Sequence, residues 1–228
     1  MYYIPDSSLI ILFPAMLIAF IAQWRIKSTF NRYSTVRSSR GITAAQAARY
    51  LLDRAGLNYV SIEMIGGSLT DHYDPRVKKL RLSQTVFNST SVAAIGVAAH
   101  ETGHAIQHST GYVPLILRNR LVPIANFGSN AAWILVLLAF ITGYNPLINI
   151  GILLFSAAVL FQVVTLPVEY NASSRAIRLL EDEGILYDDE IGGARKVLSA
   201  AALTYVAATL VAISQLLRLI LISRRRND

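Results

Sequence analysis

Ser91-Val92-Ala93-Ala94-Ile95-Gly96-Val97-Ala98-Ala99-His100-Glu101-Thr102-Gly103-His104-Ala105-Ile106-Gln107-His108 is a proline-free run of small and apolar residues that contains one HExxH pattern. Its composition predicts a helix. On a helix, residues four apart share a face and lie roughly 6 Å apart, so His100 and His104 can aim two imidazoles at one metal ion. Zn²⁺ takes histidine nitrogen at about 2.0–2.1 Å, and a catalytic site keeps one coordination position open. Glu101 stands beside that position, where it can hold a water and accept its proton. The competing reading is a pair of unrelated polar residues on a helix surface. The flanks Ala93 to Ala99 argue against it, because ionisable groups in a buried helix need partners. Of the four histidines in the chain, two fall at this spacing with a Glu in the right slot between them, which favours a metal site further.

Upstream, the pattern changes from helix to strand. Thr43-Ala44-Ala45-Gln46 reads as a capping box opening a helix that continues through Leu51, Leu52 and Ala55. Gly56 can end it in a left-handed turn. Tyr59 to Met64 alternates like a strand, and Gly66-Gly67 turns the chain. Asp71-His72-Tyr73-Asp74-Pro75 reads as a polar turn, and Lys79 to Ser83 as a second short strand. Strands just before a zinc helix can take an extended peptide on a sheet edge. Downstream, Gly111-Tyr112-Val113-Pro114 ends the HExxH helix.

The wider chain is 54% hydrophobic and 15% charged, which is the composition of an integral membrane protein. Ser8 to Trp24 is nearly all apolar and long enough to span a bilayer. It lacks the basic flank and small-residue site of a cleaved signal, so residues 1–27 read as an uncleaved anchor. Arg25, Lys27, Arg32, Arg37 and Arg40 follow it. Positive-inside bias then puts residues 28–120, with the HExxH helix, in the cytoplasm. Residues 121–168 read as a transmembrane hairpin turning at Gly143-Tyr144-Asn145-Pro146. Residues 169–196 return to the cytoplasmic side, with Gly184 and Gly192-Gly193 as breaks. Residues 197–228 hold an apolar helix and the tail Arg224-Arg225-Arg226; the helix either spans a fourth time or packs on the catalytic part. The net charge of +7 sits beside apolar segments rather than in a nucleic-acid motif, so the expected partner is a lipid bilayer, not nucleic acid. Without cysteine there are neither disulfides nor thiolate ligands. The fold class expected is a mainly α membrane protein: transmembrane helices plus a small zincin-like α+β catalytic unit.

A catalytic zinc takes three protein ligands. His108 continues the i, i+4 series but lies about 12 Å along the axis from His100, and the HExxHxxGxxH spacing that brings a third histidine round is missing. It reads as a polar helix end. His72 lies in the preceding turn, as a substrate or oxyanion donor or as a support of that turn. Glu169, at the mouth of an apolar helix, can face the HExxH helix or simply end the span; spacing leaves the two open.

Four stretches together carry a resemblance. Leu69-Thr70-Asp71-His72-Tyr73-Asp74-Pro75, Ala98-Ala99-His100-Glu101-Thr102-Gly103-His104-Ala105-Ile106-Gln107, Pro167-Val168-Glu169-Tyr170-Asn171-Ala172-Ser173 and Ala202-Leu203-Thr204-Tyr205-Val206 resemble the YugP-type bacterial membrane zinc metallopeptidases. The match extends across nearly the whole chain. That family is similar to the HtpX and CAAX-prenyl endopeptidases, whose zinc is held by HExxH plus a downstream Glu in ExxAD. The resemblance implies that Glu169 is the third ligand of one Zn²⁺ per chain, in a bacterial cell membrane. Ser173 stands where the wider group has an Asp expected to orient a ligand histidine. That support is left open, and Asn171 can supply part of it.

The expectation is a gluzincin-like, membrane-bound zinc endopeptidase acting on membrane or unfolded proteins at the cytoplasmic face. His100, His104 and Glu169 hold the metal; Glu101 activates water and passes its proton to the leaving amine. His72 and Tyr205 are candidate substrate or oxyanion contacts. Two other classes compete. One is a catalytically inactive, zinc-stabilised membrane scaffold that binds partner proteins; the intact Glu101 counts against it. The other is a zinc hydrolase acting on lipid or another small molecule, for which no separate motif speaks.

Overall fold

Local chemistry sets the ends of most elements in the computed structural model, which describes residues 7–227 and the side chains of residues 9–226. The first six residues of the expected anchor, and Asp228 of the expected basic tail, lie outside the described residues. A 3₁₀ turn at Ser7–Ile11 leads into α1 (Leu12–Ser34). Helix α2 (Ala44–Arg54) opens with the expected capping box: Gln46 N–H donates to Thr43 Oγ1 at 3.2 Å and Thr43 N–H to Gln46 Oε1 at 2.9 Å. A cap of this kind contributes about 1 kcal/mol. Gly56, at φ +72°, turns the chain out of the helix. Ala44, Ala47, Ala48, Leu51 and Leu52 form the buried face of α2.

Strands β1 (Ser61–Ile65), β2 (His72–Asp74) and β3 (Lys79–Ser83) form one sheet in the order β1-β3-β2. Strand β1 runs parallel to β3, and β2 antiparallel to it. Strand β2 corrects the sequence reading, which saw only a turn there. Its cause is long-range. The Asp71 carboxylate accepts Ser83 N–H at 2.7 Å and Ser83 Oγ–H at 3.0 Å, and Arg81 donates to Asp74 Oδ2 at 3.1 Å. These bonds hold a polar tripeptide on β3.

Helix α3 (Gln84–Phe87) is one turn. Helix α4 (Val92–Ser109) carries the HExxH residues and is capped by Ser91, whose Oγ accepts Ala94 N–H at 3.2 Å. Helices α5 (Val113–Thr142), α6 (Pro146–Asp182) and α7 (Asp188–Asn227) complete the chain. Gly184 (φ +58°) separates α6 from α7, as expected. Gly192-Gly193 does not break the chain; both lie inside α7. A glycine in a helix costs about 1 kcal/mol against alanine, and packing offsets it here. A Cβ on Gly193 would sit 2.8 Å from the Tyr33 ring.

Among the described residues, four helical segments are long and apolar enough to cross a membrane: Leu9–Ser34, Val113–Thr142, Pro146–Asp182 and Asp188–Arg226. Phe13, Met16, Phe20 and Trp24 are each more than half exposed, a pattern that lipid rather than water explains. The protein is a mainly α membrane protein with a small α+β unit. Two compact units divide it: Met1–Gln23, Ile116–Pro167 and Thr204–Asp228 form one, and Trp24–Leu115 with Val168–Leu203 form the other. Ala132, Val136, Phe155 and Leu219 make a small core in the first. The second has a larger core that includes Leu51, Leu80, Leu82, Ile95, Leu180 and Ile185.

Candidate metal centre

The second unit places its chemistry where α4 meets α6. Small residues make the approach possible. A Cβ on Gly103 would sit 2.8 Å from the Ala172 carbonyl oxygen, and one on Gly96 would sit 3.4 Å from the Ala194 Cβ on α7. Close backbone contact of this kind is how Gly- and Ala-rich helices pack. It brings Glu169, three residues before Ala172, against the two histidines of α4.

His100 Nε2 lies 3.2 Å from Glu169 Oε2, and His104 Nε2 lies 3.6 Å from the same oxygen. The imidazole centroids are 4.7 Å apart with the rings at 84°. Glu169 is 2% exposed. One ligand atom from each of the three residues falls within 4.8 Å of the others. Tetrahedral zinc with bonds of about 2.0–2.1 Å separates its donors by about 3.3 Å, so this nitrogen–nitrogen–oxygen set fits such an ion. The three residues that sequence and resemblance singled out are therefore brought together.

The far side of each ring is also held. Ser173 Oγ lies 3.2 Å from His100 Nδ1, and Gln107 Oε1 lies 3.0 Å from His104 Nδ1. The amide of Gln107 is oriented by its own bonds, since Nε2 donates to Val168 O at 2.8 Å and to Asn171 Oδ1 at 3.0 Å. Its Oε1 can only accept, so His104 carries its proton on Nδ1 and leaves the Nε2 lone pair for a metal. Arg175 Nε donates to Asn171 Oδ1 at 2.8 Å and extends the chain of contacts. Sequence reading left the role of Ser173 open; its hydroxyl stands at the His100 ring. Asn171 supports His104, through Gln107.

Glu101 is buried beside the pair, and its Oε2 accepts Tyr73 N–H at 3.0 Å. Tyr73 pairs with Leu80 across the sheet, and β2 is an edge strand. The Tyr73 N–H thus points out of the sheet toward α4. The phenol of Tyr73 lies 2.9 Å from His108 Nδ1. Burial pushes that phenol up to about 12, so it stays protonated. His108 is occupied in this way and lies outside the metal-capable group. His72 is exposed on β2, with Nδ1 2.9 Å from Thr70 O and Nε2 3.4 Å from Arg81 Nη1. Tyr205 lies half-buried on α7 in the other unit, and its carbonyl accepts Thr209 Oγ1–H at 2.9 Å.

Sequence reasoning missed two supports of the site. Gln107 was findable, because it stands three residues after His104 on one helix, within side-chain reach. The Tyr73 amide was not, because a backbone donor has no residue-type signature.

Comparison with known proteins gives two matches. A family model described as "Putative neutral zinc metallopeptidase" matches residues 8–224. The "Putative membrane protease YugP" of Bacillus subtilis (strain 168) is 49% identical over 214 residues, which cover 94% of this chain and 95% of that protein. No solved structure matches the chain.

Proposed function

The chain belongs to the neutral zinc metallopeptidase family, and from that premise we propose that it is a membrane-bound zinc endopeptidase cleaving extended segments of membrane or unfolded proteins. His100, His104 and Glu169 hold one Zn²⁺, and Glu101 is the general base. The observation that carries this reading is the convergence of one ligand atom from each of His100, His104 and Glu169 within 4.8 Å of one another, with the carboxylate buried. A zinc ion held there supplies Lewis acidity, which acidifies a water and polarises a carbonyl.

The residues divide the remaining work. Tyr73 N–H fixes one oxygen of Glu101, and the other is left for the proton of the attacking water. Glu101 takes that proton as the hydroxyl adds to the peptide carbonyl carbon. It returns the proton to the amine nitrogen as the C–N bond breaks. A peptide substrate is favoured because the outer edge of β2 faces Glu101, and extended chains add to such edges through backbone bonds. His72, exposed on the same strand, is placed to touch a substrate lying there. Tyr205 stays a candidate contact on its sequence position alone.

The site faces the cytoplasm in this reading. Five basic residues follow the first apolar segment, as the positive-inside rule describes.

Zinc per chain in the detergent-purified protein tests the proposal. Wild type should hold near one zinc, Glu169→Ala should lose it, and Glu101→Gln should keep it. Cleavage of an unfolded reporter protein should fall at least about 10²-fold in Glu101→Gln. Full zinc retention in Glu169→Ala would remove Glu169 from the ligand set. No zinc in reconstituted wild type would overturn the enzyme reading in favour of a scaffold.

A further inference from the structure

Away from the metal centre, the second unit holds a cavity of about 410 Å³ between α1 and α7. Its wall carries four cations, Arg25 and Arg32 from α1 and Arg195 and Lys196 from α7, together with the hydroxyls of Ser28, Thr29 and Ser199. No carboxylate among the described residues lines it. Among the described residues, none of the four cations forms an ion pair with Asp or Glu. Like charges gathered without a counter-charge repel, and an anion relieves that repulsion.

The walls are fixed in place. Arg25, Ser28, Thr29 and Arg32 follow helical spacing, so they share one face of α1. Tyr33 seats against α7 because Gly193 has no Cβ to block its ring. The centroid of the same ring lies 5.7 Å from the Arg32 guanidinium carbon and 6.0 Å from Lys196 Nζ, so one aromatic ring gathers a cation from each helix. Immediately before Arg25 stands Trp24, 65% exposed at the end of the apolar run. Tryptophan so placed marks the headgroup level of a bilayer. Guanidinium groups and hydroxyls are what phosphate oxygens bind.

We propose that this cavity binds the phosphate of an anionic phospholipid headgroup, with Arg25, Arg32, Arg195 and Lys196 as its cationic wall. The site is separate from the metal centre, so the proposal stands whether or not the peptidase reading does.

Trp24 is a reporter for the test. In full-length protein carrying Trp133→Phe, brominated phosphatidylglycerol should quench Trp24 at lower mole fraction than brominated phosphatidylcholine. Arg32→Gln with Lys196→Gln should reduce that preference at least about fivefold, the worth of one basic side chain at an anionic surface. Arg120→Gln with Arg224→Gln removes the same charge elsewhere and should reduce it much less. Relief of the quenching by glycerol phosphate would support the phosphate chemistry without the acyl chains. Its absence, with the lipid preference intact, would support a headgroup that needs its lipid. Equal quenching by both lipids would overturn the proposal, as would an equal loss in the charge-matched control. Size-exclusion profiles matching wild type keep misfolding from imitating the loss.

Discussion

Each histidine of the proposed ligand set is held at both ring nitrogens, and the far contacts are where single residues should matter most without touching metal. Partners of this kind typically contribute 10–100-fold in metal affinity. Gln107→Ala should therefore weaken zinc binding about 10–100-fold, measured by competition with a chelator of known affinity. Ser173→Ala should act in the same direction through His100 Nδ1, 3.2 Å from the hydroxyl. His108→Ala should leave zinc affinity unchanged, because His108 bonds the Tyr73 phenol. The sequence allowed much of this to be read. His100 and His104 followed from helical spacing, and His108 was excluded by the same arithmetic. Glu169 was ambiguous by spacing, since a carboxylate that ends a span and one that turns inward look alike in one dimension. Only the combination of stretches pointed to it. The serine at position 173 could not be interpreted alone, because a hydroxyl four residues after Glu169 acquires meaning only when α6 lies against α4.

At the level of elements, close helix approach decides which glycines are replaceable. Gly103→Ala puts a methyl 2.8 Å from a backbone oxygen of α6, and backbone cannot swing aside as a side chain can. Overpacking of this kind costs about 1–3 kcal/mol, so the variant should unfold earlier on heating and bind less zinc. Gly192→Ala meets nothing within 4 Å and should stabilise α7 by about 0.5–1 kcal/mol. The same thermal scan checks both. This contrast also explains one misread element. The local cost of Gly192-Gly193 predicted a break, but the contact of Gly193 with Tyr33 outweighs it. Strand β2 escaped for the parallel reason that its partners, Ser83 and Arg81, lie on another strand. The capping box of α2 and the alternation of β3 were legible because their causes are local. Charge on the sheet gives a pH test. Lys79 and Arg81 pair with Glu63, and Arg81 also pairs with Asp74. Hydrogen bonds from Arg76 chiefly, and from Arg81, hold the Asp74 carboxyl at about 2, below its ordinary 3.8. A carboxyl lowered by folding stabilises the native state above its unfolded value and loses that effect as pH falls toward the folded one. Asp74→Asn should thus be less stable than wild type at pH 6, with the difference vanishing near pH 2 in urea titrations.

For the molecule as a whole, the chain contains no cysteine, so single introduced thiols report topology without background. In the proposed orientation Asn58→Cys, on the exposed turn before β1, should react with a membrane-impermeant maleimide only after cells are opened. Tyr144→Cys, in the turn between α5 and α6 and 59% exposed, should react in intact cells. The reverse pattern would place the metal centre outside. Chain order within the second unit has a consequence for how the protein is made. That unit is assembled from Trp24–Leu115 and Val168–Leu203, with Ile116–Pro167 belonging to the other unit. A ribosome that has finished the HExxH helix has made His100, Glu101 and His104, but it must translate the whole intervening hairpin before Glu169 exists. On the proposed ligand set, a nascent chain halted anywhere in that interval carries an incomplete metal centre. In the proposed reading, proteolysis cannot begin before the hairpin has been translated, and that timing needs no inhibitory pro-segment.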